Sequence, residues 1–376
     1  MVRGLLAGAL AVMALAACGS SQLQTSGARV PIPAGKPASF DDIEIDQATQ
    51  TVYAADRPNS GVDVFDVSKA QPRFVTTIKL PAAPNGLAID SGGHRVYAGT
   101  AGGAVEVIDS AKRTVVSEVK TGAPEIDLIE FAPGPGWVLA GTGAGGTMLT
   151  IDAATGKIIS TATIGKPVEQ PRYDPSSGRA YVTVPDLDAL VAIDPKTGAT
   201  AKTMKLNACF PVGQAIRPST QTAVIACRKS VIALDLRSGK TTDLGPRAAG
   251  GDIVQYFPGI DRFFVAAEHS AVPTVVAMFG GDPVSYFGSV NVNGGGKAAV
   301  YGERNESVYV TDPRPGTEGL TSFQMDGTKS SPLWQSILFT VGPFVLLLLL
   351  VGPLWWFLGR QADPIHRKRP EPRPAP

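Results

Sequence analysis

The sequence predicts an all-β fold: a seven-bladed β-propeller of four-stranded blades, closed by an N-terminal strand and followed by one C-terminal transmembrane helix. Three observations predict it. A unit of about 43 residues repeats through the middle of the chain, each unit alternates apolar and polar residues with period two, and residues 333–359 carry no charge.

The chain opens on MVRGLLAGALAVMALAAC. One early cation, Arg3, precedes an apolar run too short to span a bilayer, which is the pattern of an export signal over residues 1–17. Leu15-Ala16-Ala17-Cys18 resembles the lipobox of bacterial lipoproteins. That resemblance implies diacylation of Cys18 as the mature N-terminus, with residues 18–27 as a flexible lipidated linker; the alternative is an ordinary signal peptide with a chance cysteine.

Residues 28–328 carry the repeat. Tyr53, Tyr97, Leu139, Tyr181, Ile225, Phe264 and Tyr309 anchor the second strand of each unit, at steps of 44, 42, 42, 44, 39 and 45. Each unit holds four short runs, such as GLAID, HRVYAGT, AVEVID and TVVSEV, with the β-branched and aromatic residues of strands. The third run ends in Asp66, Asp109, Asp152, Asp194 or Asp235, where a carboxylate bonds the backbone of the following turn. One such sheet cannot bury both faces, so the units pack face to face around an axis. The stretches VYAGT and VEVIDSAKRTV, and the Pro-Asn-Gly step at 84–86, resemble the YVTN-type repeats of bacterial seven-bladed propellers, clearly in blades 1–5 and weakly in blades 6 and 7. The resemblance implies the fold; its members include enzymes, binders and scaffolds.

Blade 7 has three strands of its own, near KAAVYG, SVYVTD and LTSFQMD. Residues 28–33 read as its missing fourth strand, which leaves no long open edge. Both chain ends then leave the bottom of one blade, so the bottom is expected to face the bilayer and the top to face away.

Residues 333–359 exceed the roughly 30 Å hydrocarbon thickness at 1.5 Å per residue, and predict a tilted transmembrane helix with Trp334, Trp355 and Trp356 at its interfaces and kinks at Pro343 and Pro353. The Pro-rich tail 360–376 has five Lys and Arg against two acids, which predicts a cytoplasmic tail and an extracytoplasmic propeller on a bacterial cytoplasmic membrane. Outside the leader and tail, 28 Lys and Arg stand against 31 Asp and Glu, which argues against a nucleic-acid partner.

Aligning the entries of the inner strands gives Asp41, Asn85, Asp127, Glu169, Gly213, Asp252 and Lys297 around the channel mouth. Converging carboxylates raise one another's pKa or recruit a cation, so a divalent ion such as calcium, or a cationic ligand, is the occupant this ring suits. The alternative is a solvated ring of turn-forming residues. His94, His269 and His366 show no metal-ligand spacing, and no haem, nucleophile-elbow or phosphate-loop motif is present. Cys209 and Cys227 both fall in blade 5, where an oxidising compartment favours a disulfide; two buried thiols are the alternative.

Two functions fit. The first is a membrane-anchored extracytoplasmic binding or scaffold subunit of a membrane protein complex, engaged through propeller loops and the span, with the lipid bilayer as the other partner. The second is an extracytoplasmic enzyme or sensor, lactonase- or quinoprotein-like, using the acidic mouth. No catalytic residue is identified.

Overall fold

Seven antiparallel sheets follow one another in a computed structural model that describes residues 27–33, 35, 37–267, 275–292 and 296–324. The leader, Cys18, His269, the span 333–359 and the tail lie outside the described residues. Among those described, no helix is long and apolar enough to cross a membrane.

Blade 1 comprises β2 (Phe40–Asp46), β3 (Thr51–Asp56), β4 (Gly61–Asp66) and β5 (Arg73–Lys79). Blade 2 comprises β6 (Pro84–Asp90), β7 (Arg95–Thr100), β8 (Ala104–Asp109) and β9 (Thr114–Lys120). Blade 3 runs through β10 (Ile129–Ala132), β11 (Trp137–Gly141), β12 (Thr147–Asp152) and β13 (Ile158–Thr163). Blade 4 holds β14 (Pro171–Asp174), β15 (Arg179–Val184), β16 (Ala189–Ile193) and β17 (Thr200–Lys205). Blade 5 holds β18 (Pro211–Arg217), β19 (Thr222–Cys227), β20 (Val231–Asp235) and β21 (Thr241–Asp243). Blade 6 is formed by β22 (Val254–Phe257), β23 (Arg262–Ala267), β24 (Val275–Gly280) and β25 (Ser285–Asn291). Blade 7 combines β26 (Ala299–Gly302), β27 (Ser307–Asp312) and β28 (Gly319–Gln324) with β1 (Gly27–Pro31) from the other end of the chain.

The alternation read from the sequence sorts side chains between seams. On β7, Val96 and Ala98 pack with Val62 and Val64 of blade 1, while Tyr97 turns the other way, to Ile129 and Val138 of blade 3. Ring contacts repeat across seams, with Tyr97 against Phe131, Trp137 against Tyr173 and Phe264 against Tyr301 at centroid separations of 5.9, 6.1 and 6.0 Å. Each inner strand lies against the next blade's inner strand, and β26 lies against β2, so the ring closes.

The turns are built as their residues require. The inner hairpin of every blade ends on a residue with positive φ: Gln50, His94, Gly136, Gly178, Gln221, Asp261 and Glu306. The turn aspartates accept the backbone N–H two residues on, as Asp66 does from Ser68 at 2.9 Å and Asp194 from Lys196 at 2.9 Å. They bind turns, as their position in the repeat indicates.

The closing strand is β1, Gly27–Pro31, paired with β28 from Gly27↔Phe323 to Pro31↔Gly319. It begins one residue earlier than 28–33 and ends two residues sooner, although the Ile32 N–H still reaches Glu318 O at 3.0 Å. Arg29 locks it by donating to Thr317 O at 2.6 Å and pairing with Asp312 at 3.2 Å.

One alignment changes. Gln214 pairs with Ile225 as Leu87 pairs with Ala98, and Pro211 with Cys227 as Pro84 with Thr100. The blade 5 equivalent of Tyr97 is therefore Val224, one residue before Ile225, and the ring position is Val212, one before Gly213. Val and Ile alternate indistinguishably there, so composition could not fix the register. Gly213 instead matches Gly86; a β-carbon on it would lie 2.2 Å from Asp252 O.

Cys209 and Cys227 form a disulfide across the entry of blade 5. It closes a loop of a length for which chain entropy gives about 3 kcal/mol. The double variant C209A/C227A is expected to lose roughly that much stability by urea unfolding, with the fold retained by circular dichroism. Gly213→Ala is expected to cost about 1–3 kcal/mol in the same assay, because the backbone of blade 6 occupies the space its methyl needs.

Candidate functional site

The strand entries bring five of the ring residues together. Asp41, Asp127, Glu169, Asp252 and Lys297 line a recess of about 140 Å³ with Arg57. Asn85 does not join them: its buried side chain donates to Ile126 O at 2.8 Å in the next blade. Position 212, the true blade 5 member, is an apolar valine.

The recess compensates its own charge, unevenly. Lys297 Nζ lies 2.7 Å from Asp41 and 3.6 Å from Asp252, and Arg57 donates to the other Asp41 oxygen at 3.0 Å. Asp127 and Glu169 stand on the other side. Burial pushes the Asp127 carboxyl up to about 7, helped by the negative charges of Glu169, Asp41, Glu125 and Asp252. Burial likewise raises Glu169 to about 7, with Asp252 adding to it and Lys297 opposing it. Among the described residues, no group of three or more His, Cys, Asp or Glu is placed to hold a metal ion. The mouth is therefore a salt-bridged recess with two carboxyls raised toward neutral pH.

Below it lies a larger cavity, of about 390 Å³, that opens toward the ends of the inner strands. Its polar lining includes Glu44, Glu130, Arg172 and Gln255, each three residues beyond a ring position. This second tier sits at a constant offset from the ring, since inner-strand residues on one face recur at the same place in every blade, and that offset is the sequence signal for it. Gln255 Nε2 donates to Glu44 Oε1 at 3.1 Å, and the Tyr173 N–H donates to Glu130 Oε2. Arg172 spends its guanidinium on carbonyls, donating to Val254 O at 3.0 Å and Pro171 O at 3.2 Å. Burial raises Glu44 well above the usual carboxylate range and Glu130 to about 7, with Arg172 opposing both.

One residue past the ring, Asp42 and Gln170 do structural work. Bulges at Pro84/Leu87 and Pro211/Gln214 release the N–H groups of Leu87 and Gln214 from strand pairing. Asp42 Oδ2 accepts from Leu87 at 2.9 Å, and Gln170 Oε1 accepts from Gln214 at 2.8 Å and Val254 at 3.1 Å. Asp42 is buried, which raises its carboxyl to about 7 against the pull of two backbone donors, the N–H groups of Leu87 and Ile43.

With this geometry in hand, comparison decides the architecture. The chain is a seven-bladed β-propeller. The WD40 β-propeller domain of Doa1 is similar over 82% of this chain and 99% of that one, with a TM-score of 0.66 at 10% identity. Such identity carries the fold alone. No family model matches the chain, and no curated protein matches it.

The buried carboxylates set a pH dependence. Asp42, Asp127, Glu130 and Glu169 hold protons in the folded state up to about pH 7, whereas unfolded carboxyls release them near pH 4. Folding takes up protons in between, so stability falls as pH rises from about 4 to 7 and levels off above. The turn carboxylates Asp66, Asp152 and Asp235 are held low by their turn hydrogen bonds, so the stability they contribute is lost only as pH falls through about 4 and below, outside most of that window. With divalent cations chelated, the melting temperature is expected to be higher at pH 5 than at pH 8, and Asp127→Asn is expected to flatten the slope.

Proposed function

We propose that the protein is a membrane-anchored extracytoplasmic propeller that acts as the binding or scaffold subunit of a membrane protein complex. The observation that carries this reading is the pairing of β1 with β28. Gly27 lies opposite Phe323, so the chain enters and leaves the propeller side by side, on the face opposite the charged recess. A lipid on Cys18 and a span at 333–359 would then tether one blade twice and hold the disc in a fixed pose. A freely acting catalyst has no need of two tethers at one blade.

Surface chemistry adds support. A groove of about 430 Å³ between blades 2 and 3 is lined by Val116, Tyr97, Val138 and Ile151, and Val116 is 46% exposed. The exposed valine stands among polar side chains, Arg95, Ser117, Glu118 and Thr155, a mixed surface of the kind that protein partners use. A second reading, small-molecule binding, is favoured by the 390 Å³ cavity; the mouth recess is below the usual size of a ligand pocket.

Pull-down from native membranes in mild detergent through a tag after residue 376 tests the proposal. Stoichiometric membrane partners are expected, and they are expected to be lost when residues 333–359 are replaced by an unrelated Leu-rich span. Recovery of the protein alone would overturn the scaffold reading in favour of a ligand in the cavity.

A further inference from the structure

Blade 1 buries two aspartates that form no salt bridge among the described residues. Asp56 pairs with Gly61, and Asp63 pairs with Ala54 on one side and Thr77 on the other, while Gly61 also faces Lys79. Directly paired and alternate residues share a face, so Asp56, Gly61, Asp63, Thr77 and Lys79 occupy one face of the outer three strands. It is the face turned to blade 7, because Ala54 and Phe65 on it pack with Val308 and Tyr309. Asp56 and Asp63 are diagonal neighbours, within about 7–8 Å of each other, close enough for both carboxylates to reach one ion.

Both aspartates are only 1% exposed. Asp63 Oδ1 accepts from Thr77 Oγ1 at 2.5 Å, and Asp56 Oδ2 accepts from Asn59 Nδ2 at 2.7 Å, with the backbone N–H groups of Asn59 and Ser39 also favouring the Asp56 carboxylate. The other oxygens, Asp56 Oδ1 and Asp63 Oδ2, are buried without a hydrogen-bond partner. Lys79, the cation whose field reaches both, sends its Nζ to Asn59 O at 3.1 Å. Gly61 is the one position of the patch without a side chain, and a β-carbon there would lie 2.5 Å from Thr77 Cγ2.

Two buried carboxylates with vacant lone pairs are costly to leave uncompensated. The side-chain donors are two carboxylates and a hydroxyl, all oxygen, which suits a hard divalent cation of the calcium type and disfavours softer metals. We propose that Asp56 and Asp63, with Thr77 beside them, hold a calcium ion that braces β3, β4 and β5 at the seam where the ring closes. This site is separate from the channel mouth and does not depend on the scaffold reading.

The test uses the full chain in mild detergent at pH 7.5, melted in chelator and in millimolar calcium, with terbium luminescence as a direct probe of binding. Calcium is expected to raise the wild-type melting temperature by several degrees and to displace terbium. Asp56→Asn and Asp63→Asn are near-isosteric and remove a buried charge, so both are expected to fold, to lose the calcium-dependent rise and to lose terbium binding at least tenfold. Asp127→Asn, at the mouth, is expected to keep both. Absence of calcium and terbium binding in the wild type would overturn the proposal and leave a carboxyl pair that shares a proton. Binding that survives in both blade 1 variants would overturn it by placing the ion elsewhere.

Discussion

A propeller must satisfy the inner edges of its blades. Seven short strands meet around one axis, and each turns an unpaired row of N–H and C=O groups toward the central channel. Backbone bonds between blades answer part of this, as Gly86 N–H does to Asp127 O at 2.9 Å and Ile253 N–H to Lys297 O at 3.1 Å. Asp42, Gln170, Arg172 and Glu130 answer the rest by reaching across seams to backbone groups. The polarity of the channel is thus first a requirement of the fold. Its raised carboxyls follow from the same requirement, since acceptors placed where the edges need them are also placed out of water.

That priority explains what could be read from the sequence. Seven blades, the closing strand and the turn aspartates all follow from alternation and turn chemistry, which are local. Candidate site residues depend on where side chains point, and a β-bulge redirects them. Asp41 and Asp42 are adjacent, yet the register shift between Phe40 and Ile43 sends one to the recess and the other to Leu87 of the next blade. Asn85 shares its strand position with Asp41 but is drawn into the seam by Ile126 O. The one-residue error in blade 5 has a similar origin: Ala-Val-Ile-Ala offers two equally good anchors, and only the pairing of Pro211 with Cys227 separates them. The Asp56–Asp63 pair lay in plain view within two strands, but nothing local announces that their faces are buried against blade 7.

The seams are not equivalent. Six join blades that follow one another directly, and the first five of these each have their own apolar cluster, as between blades 4 and 5 around Leu190, Ile225 and Leu234. Around blade 7 a single cluster runs from Phe257 and Phe264 through Tyr301 and Tyr309 to Val52 and Phe65, and takes in Val30 of β1. The two ends of the chain meet in blade 7, so chain connectivity does least there to hold neighbours together, and loop closure across nearly the whole domain costs the most entropy. A large continuous aromatic cluster and the Arg29–Asp312 pair are the compensation that side chains supply.

The same seam fixes where charge is tolerated. The matching faces of other blades carry hydroxyls, as Thr150 and Ser160 do in blade 3, or a single buried acid, as Glu106 does in blade 2 opposite the exposed Glu118. In blade 1 both aspartates are buried, with Thr77 and Asn59 donating to one oxygen of each. Hydrogen bonds from neutral donors do not supply the charge that two buried carboxylates lack, and the guanidiniums that neutralise acids elsewhere, Arg57 on Asp41 and Arg29 on Asp312, are committed to those partners. A β-carbon at Gly61 would lie 2.5 Å from Thr77 Cγ2, so the strand is packed closely beside the two acids and water has little room to solvate them. Buried charge therefore collects at one point of the seam that chain connectivity supports least.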